Sequence, residues 1–91
     1  MAKAIYKYEL AFVDGVQTLQ IPKHAKILSV ANQLERFVFW AEVVPDLGLE
    51  PRYFVVRPTG ANVAEDIGKY RGTALFANGM LVFHLYEVVG P

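Results

Sequence analysis

The stretch LVFHLYEV, Leu81–Val88, is the part of the chain that decides the fold. Only His84 and Glu87 interrupt its six apolar or aromatic side chains, whereas a strand with one wet face alternates apolar and polar residues. We therefore predict a central β-strand that is covered on both faces. The opposite layer of the fold covers one face, and a loop, a helical turn or a second subunit covers the other.

Strand signals continue along the rest of the chain. Period-two alternation, short apolar runs and Gly or Pro punctuation predict seven strands at spacings of about ten residues. The predicted strands are residues 4–13, 16–21, 25–33, 36–44, 52–57, 69–76 and 80–89. This pattern predicts an all-β fold, a small antiparallel sandwich or barrel of about seven strands, in a single domain over residues 1–91.

Three short connections are predicted to be hairpin turns. Asp14-Gly15 and Asn78-Gly79 are strong two-residue signals, and a third hairpin is predicted across Leu34-Glu35, which lacks glycine. Two prolines and a glycine predict a loop at residues 45–51. Residues 61–68 have little strand character and are predicted to form at most one short helical turn.

The composition predicts self-association. Apolar residues make up 54% of the 91 residues, above the usual level of about 45–50%. A domain of this size buries only roughly 60% of its unfolded surface, so part of the apolar excess is expected in a subunit interface. We predict a homo-oligomer, a dimer or larger.

Charge and cysteine content exclude several classes of protein. Nine basic residues balance nine acidic ones, which argues against a nucleic-acid arm or an acidic tail. The absence of cysteine excludes disulfides, thiolate catalysis and cysteine-bound metal. We find no signal-peptide pattern and no apolar run near the roughly 20 residues of a membrane span. The sequence therefore predicts a cytoplasmic protein without membrane contact.

Catalytic and metal-binding patterns are weak. Ser29 is the single serine and lies inside a predicted strand, away from the sharp strand-to-helix turn of a nucleophilic serine. His24 and His84 are far apart in the sequence, and no carboxylate is close to both. Glu65 and Asp66 form the one adjacent acidic pair, in a predicted loop. We predict a protein that is not an enzyme and holds no metal or cofactor.

Tyrosine, tryptophan, arginine and histidine side chains are the candidates for binding. The candidate residues are Tyr6, Tyr8, Trp40, Arg52, Arg71, His84 and Tyr86. The arginines would suit a phosphate or carboxylate of a small anionic ligand, such as a nucleotide between subunits. Basic residues interleaved with aromatics also occur in single-strand nucleic-acid binders. Nucleic acid is disfavoured because alternation places Tyr6 and Lys7 on opposite faces and the net charge is neutral.

His84 has three interpretations. A core histidine bonded to a backbone carbonyl is favoured, and the others are an interface residue and a pocket residue beside Tyr86. The side chains predicted to face the core are Leu81, Phe83 and Leu85. Val82, His84 and Tyr86 would then face outward, and such an apolar face predicts burial against a second copy.

Several segments together resemble a known family. IYKYEL, IPKHAKILSV, FWAEV, TG, YRGT and LVFHLYEV, in this order over nearly the whole chain, resemble short proteins of tailed bacteriophages without an assigned activity. The resemblance implies a phage accessory protein in the host bacterial cytoplasm and gives no site residue to carry over. The function predicted first is non-enzymatic binding of a host or phage protein partner, which fits interference with a host defence or enzyme. Sequestration of a small anionic ligand and single-stranded nucleic-acid binding are the alternatives.

Overall fold

The computed structural model describes residues 2–90, which form seven β-strands and no helix. The strands are β1 (Ala4–Leu10), β2 (Gln17–Pro22), β3 (Lys26–Gln33), β4 (Arg36–Val43), β5 (Leu49–Pro58), β6 (Lys69–Phe76) and β7 (Leu81–Val88). The all-β prediction is confirmed, and the observed strands differ from the predicted ones mainly at their ends.

The strands form two antiparallel sheets that pack face to face. Sheet A has the order β1-β4-β3, and sheet B has the order β2-β5-β7-β6. Tyr8 is opposite Phe39 in sheet A, and Val56 is opposite Leu85 in sheet B. Of the two architectures that the sequence allows, the sandwich is therefore the one that forms, and the sheets do not close into a barrel.

The core lies between the two sheets and is filled by alternate residues of the strands. The buried cluster is Leu10, Ile21, Ala25, Phe37, Phe39, Ala41, Val43, Phe54, Val56, Ala74, Phe76 and Leu85. Phe39 of sheet A meets Phe54 of sheet B with ring centroids 5.0 Å apart. Phe37 stacks on Phe76 at 5.8 Å. Truncating one of these phenylalanines to alanine should cost about 3–5 kcal/mol, because both lost burial and a cavity contribute.

β7 is a central strand, as predicted, because it pairs with β5 on one side and with β6 on the other. Leu85 is fully buried, and Phe83 is half-buried against the core. The prediction for Leu81 is wrong, since its side chain is 52% exposed. β5 ends at Pro58, opposite Phe83, so Leu81 extends beyond it and has a neighbouring strand on one side only. The loop after β5 covers part of the outer face of β7.

Two of the three predicted hairpins are confirmed. Leu34 and Glu35 join β3 to β4 with φ of 52° and 61°, the left-handed conformation that a two-residue type I′ turn requires. Residues 77–80 join β6 to β7, with Asn78 and Gly79 also at positive φ. Leu34 is strained in this conformation, which asparagine and glycine adopt more easily, and its side chain is 91% exposed.

The predicted hairpin at Asp14-Gly15 is wrong, because β1 and β2 belong to different sheets. Neither residue has the positive φ of a type I′ turn, and the segment between the strands crosses from sheet A to sheet B. The side chain of Gln17 is hydrogen bonded to the backbone within this crossing. Ala11 N–H donates to Gln17 Oε1 at 2.7 Å, and Gln17 Nε2 donates to Ala11 O at 2.8 Å. A side chain thus satisfies the backbone groups that a hairpin would have paired.

Two other segments between strands compare differently with prediction. Residues 61–68 contain no helix, within the predicted limit of one short helical turn, and one turn there is closed by Ile67 N–H donating to Ala64 O at 3.1 Å. The predicted loop at residues 45–51 is too long, because β5 already begins at Leu49. Pro51 is tolerated there because β7 pairs with β5 only from Tyr53 onward, so a partner strand lies on one side alone.

The two sheets also touch where β3 runs beside β6. Asn32 Nδ2 donates to Leu75 O at 3.0 Å across this junction. Gly72 lies so close to Val30 that a Cβ atom on it would be 2.5 Å from Val30 Cγ2. The junction therefore needs glycine at this position. Nowhere in residues 2–90 is there a helix long and apolar enough to cross a bilayer.

Candidate functional site

Two of the predicted candidates, Arg52 and Arg71, meet around Glu87 at one end of the core. Arg52 donates from Nε to Glu87 Oε2 at 2.5 Å and from Nη2 to Oε1 at 2.8 Å. Arg71 donates to Oε1 from Nη2 at 2.7 Å and from Nε at 3.1 Å. Arg52 Nη1 donates to Ala25 O at 2.6 Å, so all three of its nitrogens are bound.

Strand alternation and a bulge place these three side chains together. Glu87 follows Leu85 by two positions, and Arg52 precedes Phe54 by two, so both project from the core-facing side of sheet B. A bulge in β6 inserts Arg71 as an extra residue, and its side chain reaches the same carboxylate. The cluster therefore closes the sandwich where the apolar layer ends.

The charges in this cluster are stabilised by one another. The side chains of Arg52, Arg71 and Glu87 are 14%, 20% and 15% exposed. Burial alone would raise the pKa of Glu87, but the hydrogen bonds from the two arginines outweigh it and lower that pKa below its ordinary value. The hydrogen bond with Glu87 raises the pKa of Arg52. The three side chains are thus charged at neutral pH, and most of their hydrogen-bond donors and acceptors have a partner.

Tyr8 lies near this cluster on the inner face of β1. Its ring stacks on Phe39 with centroids 5.3 Å apart. Burial and the neighbouring Tyr6 raise the pKa of Tyr8, while Arg52 lowers it to a smaller extent. Tyr6 points the same way as Tyr8 but is 40% exposed. Tyr6 and Lys7 thus lie on opposite faces, as alternation predicted, and exposure on the tyrosine face rises toward the N-terminal end of β1.

His84 lies on the outer face of sheet B and joins a chain of hydroxyl groups. Its Nε2 is hydrogen bonded to Thr59 Oγ1 at 2.7 Å, and its Nδ1 to Thr73 Oγ1 at 2.8 Å. Tyr70 Oη is hydrogen bonded in turn to Thr73 Oγ1. The favoured interpretation of a core histidine bonded to a backbone carbonyl is wrong, because side-chain hydroxyls hold this half-buried ring. Thr59 belongs to the loop after β5, so His84 fastens that loop to the sheet.

Tyr86 lies beside this network. Its ring meets Tyr70 edge to face with centroids 5.7 Å apart. Tyr86 and His84 line a shallow cleft of about 230 Å³ together with Arg57, residues 58–61 and Val63. Arg57 Nη1 donates to Asp14 O at 2.7 Å, so this arginine also has a structural partner.

Trp40 stands apart from both groups, on the outer face of sheet A. It is opposite Lys7 of β1 and Ser29 of β3. Next to it, Lys7 Nζ donates to Gln33 Oε1 at 2.7 Å. Val38, on the same outer face, is opposite Glu9 and Ala31 and is only 2% exposed.

A surface that the sequence did not single out lies at the hairpin end of the sandwich. We call it the apolar end, and it comprises Phe12, Val13, Leu34, Met80 and Leu81, which are 46%, 50%, 91%, 85% and 52% exposed. It combines the crossing between the sheets with the two hairpin turns. Glu35 ties the turns together, because Ala77 N–H donates to Glu35 Oε2 at 3.3 Å. Asn32 Nδ2 holds the other oxygen of Glu35 at 3.0 Å.

Phe12 divides the apolar end into two clefts. Its ring packs on Phe83 at 4.9 Å and on Phe76 at 5.0 Å. One cleft, of about 380 Å³, is lined by Phe12, Val13, Asp14, Val56, Pro58 and Phe83. The other, of about 280 Å³, is lined by Phe12, Glu35, Phe76, Leu81 and Phe83. Each cleft thus has apolar walls and one residue with a carboxylate group. Apolar walls of this kind can receive the apolar side chains of a partner.

A family model described as a domain of unknown function (DUF7352) matches residues 1–91. The chain belongs to this family. No curated protein matches it, and no solved structure does. The DUF7352 match covers the whole chain, so the sandwich and its apolar end both fall within the family domain.

Sequence reasoning located part of what the DUF7352 fold brings together. Arg52, Arg71 and Tyr8 lie at one end of the core, His84 and Tyr86 share the outer face of sheet B, and Tyr6 and Trp40 are in neither group. The apolar end was missed. Leu34 inside a predicted turn and Met80 directly after Asn78-Gly79 were the available signals, because turns normally carry polar residues at such positions.

Proposed function

We propose that the protein is a non-enzymatic binding protein that docks a partner protein at its apolar end. The observation that carries the proposal is the exposure of its five apolar side chains, from 46% for Phe12 to 91% for Leu34, beside two clefts. Isolated apolar side chains are normal on a surface, but exposed apolar side chains that line clefts, as Phe12, Val13 and Leu81 do, mark an interaction site.

The frame around the apolar end is preorganised for binding. Glu35 connects the two hairpin turns through Asn32 and Ala77, so the clefts keep their shape without a partner. A preformed surface loses less conformational entropy on association than a flexible one. Docking there requires little ordering of this chain.

Charge indicates which partner segment fits. Asp14 lines one cleft and Glu35 lines the other. A segment that presents apolar side chains together with a lysine or arginine would bury the apolar walls and face these carboxylates. Complementary charge of this kind improves selectivity more than affinity. We therefore propose an apolar segment with a basic residue as the occupant.

On the resemblance to short proteins of tailed bacteriophages, we extend the proposal to the cell compartment and the origin of the partner. A phage accessory protein in a bacterial cytoplasm would use such a surface on a host or phage protein, and interference with a host defence or enzyme fits this use. Anion sequestration has less support, since Arg52 and Arg71 direct their guanidinium groups to Glu87. Nucleic-acid binding has less support because the basic Lys7 lies on the face opposite Tyr6 and Tyr8.

Matched charge substitutions test the docking surface. Met80→Lys places a repelling charge in the apolar end, and Val89→Lys is its control because Val89 is 93% exposed outside that surface. Each variant and the parent protein would be immobilised and incubated with bacterial lysate. We expect a protein that the parent and Val89→Lys retain and Met80→Lys loses. Once purified, it should bind the parent with a Kd below about 10 μM.

Two results would contradict the proposal. One is the same set of captured proteins for the parent and for Met80→Lys. The other is nucleotide or nucleic acid that co-purifies with the parent and shows as absorbance near 260 nm, which would favour the alternatives.

A further inference from the structure

The edge of β1 differs from the other three sheet edges in residues 2–90. β3 and β6 run beside each other, and each carries a bulge, between Ile27 and Ser29 and between Tyr70 and Gly72. β2 has six residues and ends in Pro22. β1 has seven residues without proline or bulge and pairs only with β4. Bulges and prolines protect edges from pairing with another chain, and β1 has neither.

The turn at Leu34 and Glu35 fixes the direction of the backbone groups of β1. Because this turn has two residues, the flanking Gln33 and Arg36 form a hydrogen-bonded pair, and Arg36 points its backbone groups toward β3. Alternation then points the backbone groups of the next residue, Phe37, toward β1. Its partner there is Leu10.

The same alternation continues along β1. Leu10, Tyr8 and Tyr6 bond to β4, so Lys7 and Glu9 direct their backbone N–H and C=O groups out from the edge. Ala11 follows the same alternation, because its backbone N–H and C=O groups do not bond to β4. The Gln17 side chain binds both of them outside the sheet. The free edge therefore ends at Ala11, whose backbone groups are hydrogen bonded to Gln17.

The side chains along this edge are suited to a second strand. Tyr6 is 40% exposed and Ile5 is 64% exposed, on opposite faces of β1. On the outer face, Lys7 and Glu9 are two positions apart and carry opposite charges. An antiparallel copy of the same strand can place each of these charges opposite the other.

We propose that β1 pairs antiparallel with β1 of a second copy, about a two-fold axis at Tyr8. Lys7 of each copy then lies opposite Glu9 of the other, and Tyr6 lies opposite Leu10. The backbone groups of Lys7 and Glu9 both point outward, so this register also aligns their free donors and acceptors with those of the second copy. The two copies of sheet A become one continuous six-stranded sheet, because each contributes three strands. This pairing uses the edge of β1 and is independent of the proposed function.

Neighbouring registers are less favourable. A two-fold axis at Lys7 would place the two copies of Lys7 opposite each other, and an axis at Glu9 would do the same for Glu9. Like charges directly opposite destabilise a strand pair. An axis at Tyr6 places the apolar Ile5 against Lys7. The axis at Tyr8 is the one that places Lys7 opposite Glu9, in two symmetry-related pairs within β1.

Charge reversal tests the pairing through sedimentation at about 100 μM and neutral pH. We expect a dimer, and we expect Lys7→Glu and Glu9→Lys each to raise the Kd about tenfold, since each changes two pairs from attraction to repulsion. The double variant Lys7→Glu/Glu9→Lys should restore the Kd to within about threefold of the parent value. Lys23→Glu, in an exposed turn, should leave the dimer unchanged.

Cysteine pairs test the register, because the chain has no cysteine of its own. A hydrogen-bonded antiparallel pair has Cα atoms about 5.5 Å apart, within disulfide range. Lys7→Cys mixed with Glu9→Cys should give a covalent dimer on mild oxidation, and neither variant should do so alone. Three results would each overturn the proposal: a monomer at about 100 μM, a dimer indifferent to both single reversals, or cross-linking of Lys7→Cys with itself.

Discussion

Replacing Glu87 with glutamine should show how far the charged cluster supports the fold. Glu87 accepts four hydrogen bonds, two from Arg52 and two from Arg71. Glutamine keeps the size of the side chain but turns one acceptor oxygen into an NH₂ group. That group would face guanidinium N–H donors, so at least one arginine would lose its partner while remaining 14–20% exposed.

The size of the effect follows from this burial. Removing one partner of a buried ion pair costs about 3–5 kcal/mol, because the other charge is left uncompensated. The small remaining exposure of these side chains lets water reach them, so we expect the lower end, about 3 kcal/mol. For a domain of this length that corresponds to a fall in Tm of about 12–24 °C. Glu65→Gln is the control, since Glu65 lies in an exposed loop and its replacement should change stability by less than about 0.5 kcal/mol.

Urea unfolding at several pH values separates the contribution of the Glu87 charge to stability from the contribution of its side-chain shape. Its pKa in the folded chain is lowered from the ordinary 4.5. A lowered pKa contributes stability that is complete above the unfolded value and is lost as pH falls through the folded value. The difference between the parent and Glu87→Gln should therefore be full at pH 7 and shrink steadily below that ordinary pKa of 4.5. A difference below about 1 kcal/mol at pH 7, or one that is the same at pH 3, would refute this account.

Three further predictions concern stability, and each is measured by thermal or urea unfolding. Leu34→Asn should stabilise the protein by about 0.5–1 kcal/mol, because asparagine adopts positive φ with less strain, and a loss of stability would contradict the type I′ turn. Gly72→Ala should destabilise it by about 1–3 kcal/mol, because the new methyl group clashes with Val30. Unchanged stability would contradict this, since it would mean that β3 and β6 move apart at little cost. Arg52→Ala should cost more than Arg71→Ala, because Arg52 also holds Ala25 O, and the reverse order would contradict that assignment.

The core could be predicted from the sequence because burial follows the two-residue period of a strand. Alternation correctly placed Leu85 inside, and Tyr6 and Lys7 on opposite faces of their strand. Leu81 was misplaced because exposure at the end of a strand depends on how far the neighbouring strand extends, and single-strand alternation carries no such information.

Pairing between distant strands limited the other predictions. Asp14-Gly15 is a local turn signal, and it does not reveal that the following strand joins the other sheet. Arg52 and Glu87 are 35 positions apart, so their ion pair requires knowing that β5 is beside β7. The apolar end joins three separate connections in space, and it became visible only once both hairpins and the crossing were placed.

The strand order also determines when each part of the chain can fold. β3–β4 and β6–β7 are local hairpins, whereas β1 must wait for β4 and β2 must wait for β5. Closing such long segments costs entropy before any contact forms, which slows folding. During synthesis β1 leaves the ribosome before β3 and β4, so it is unpaired while the rest of sheet A is still being made. A folding chain thus exposes Tyr6, Tyr8 and Leu10 early, and rapid closure of the β3–β4 hairpin is what shortens that exposure.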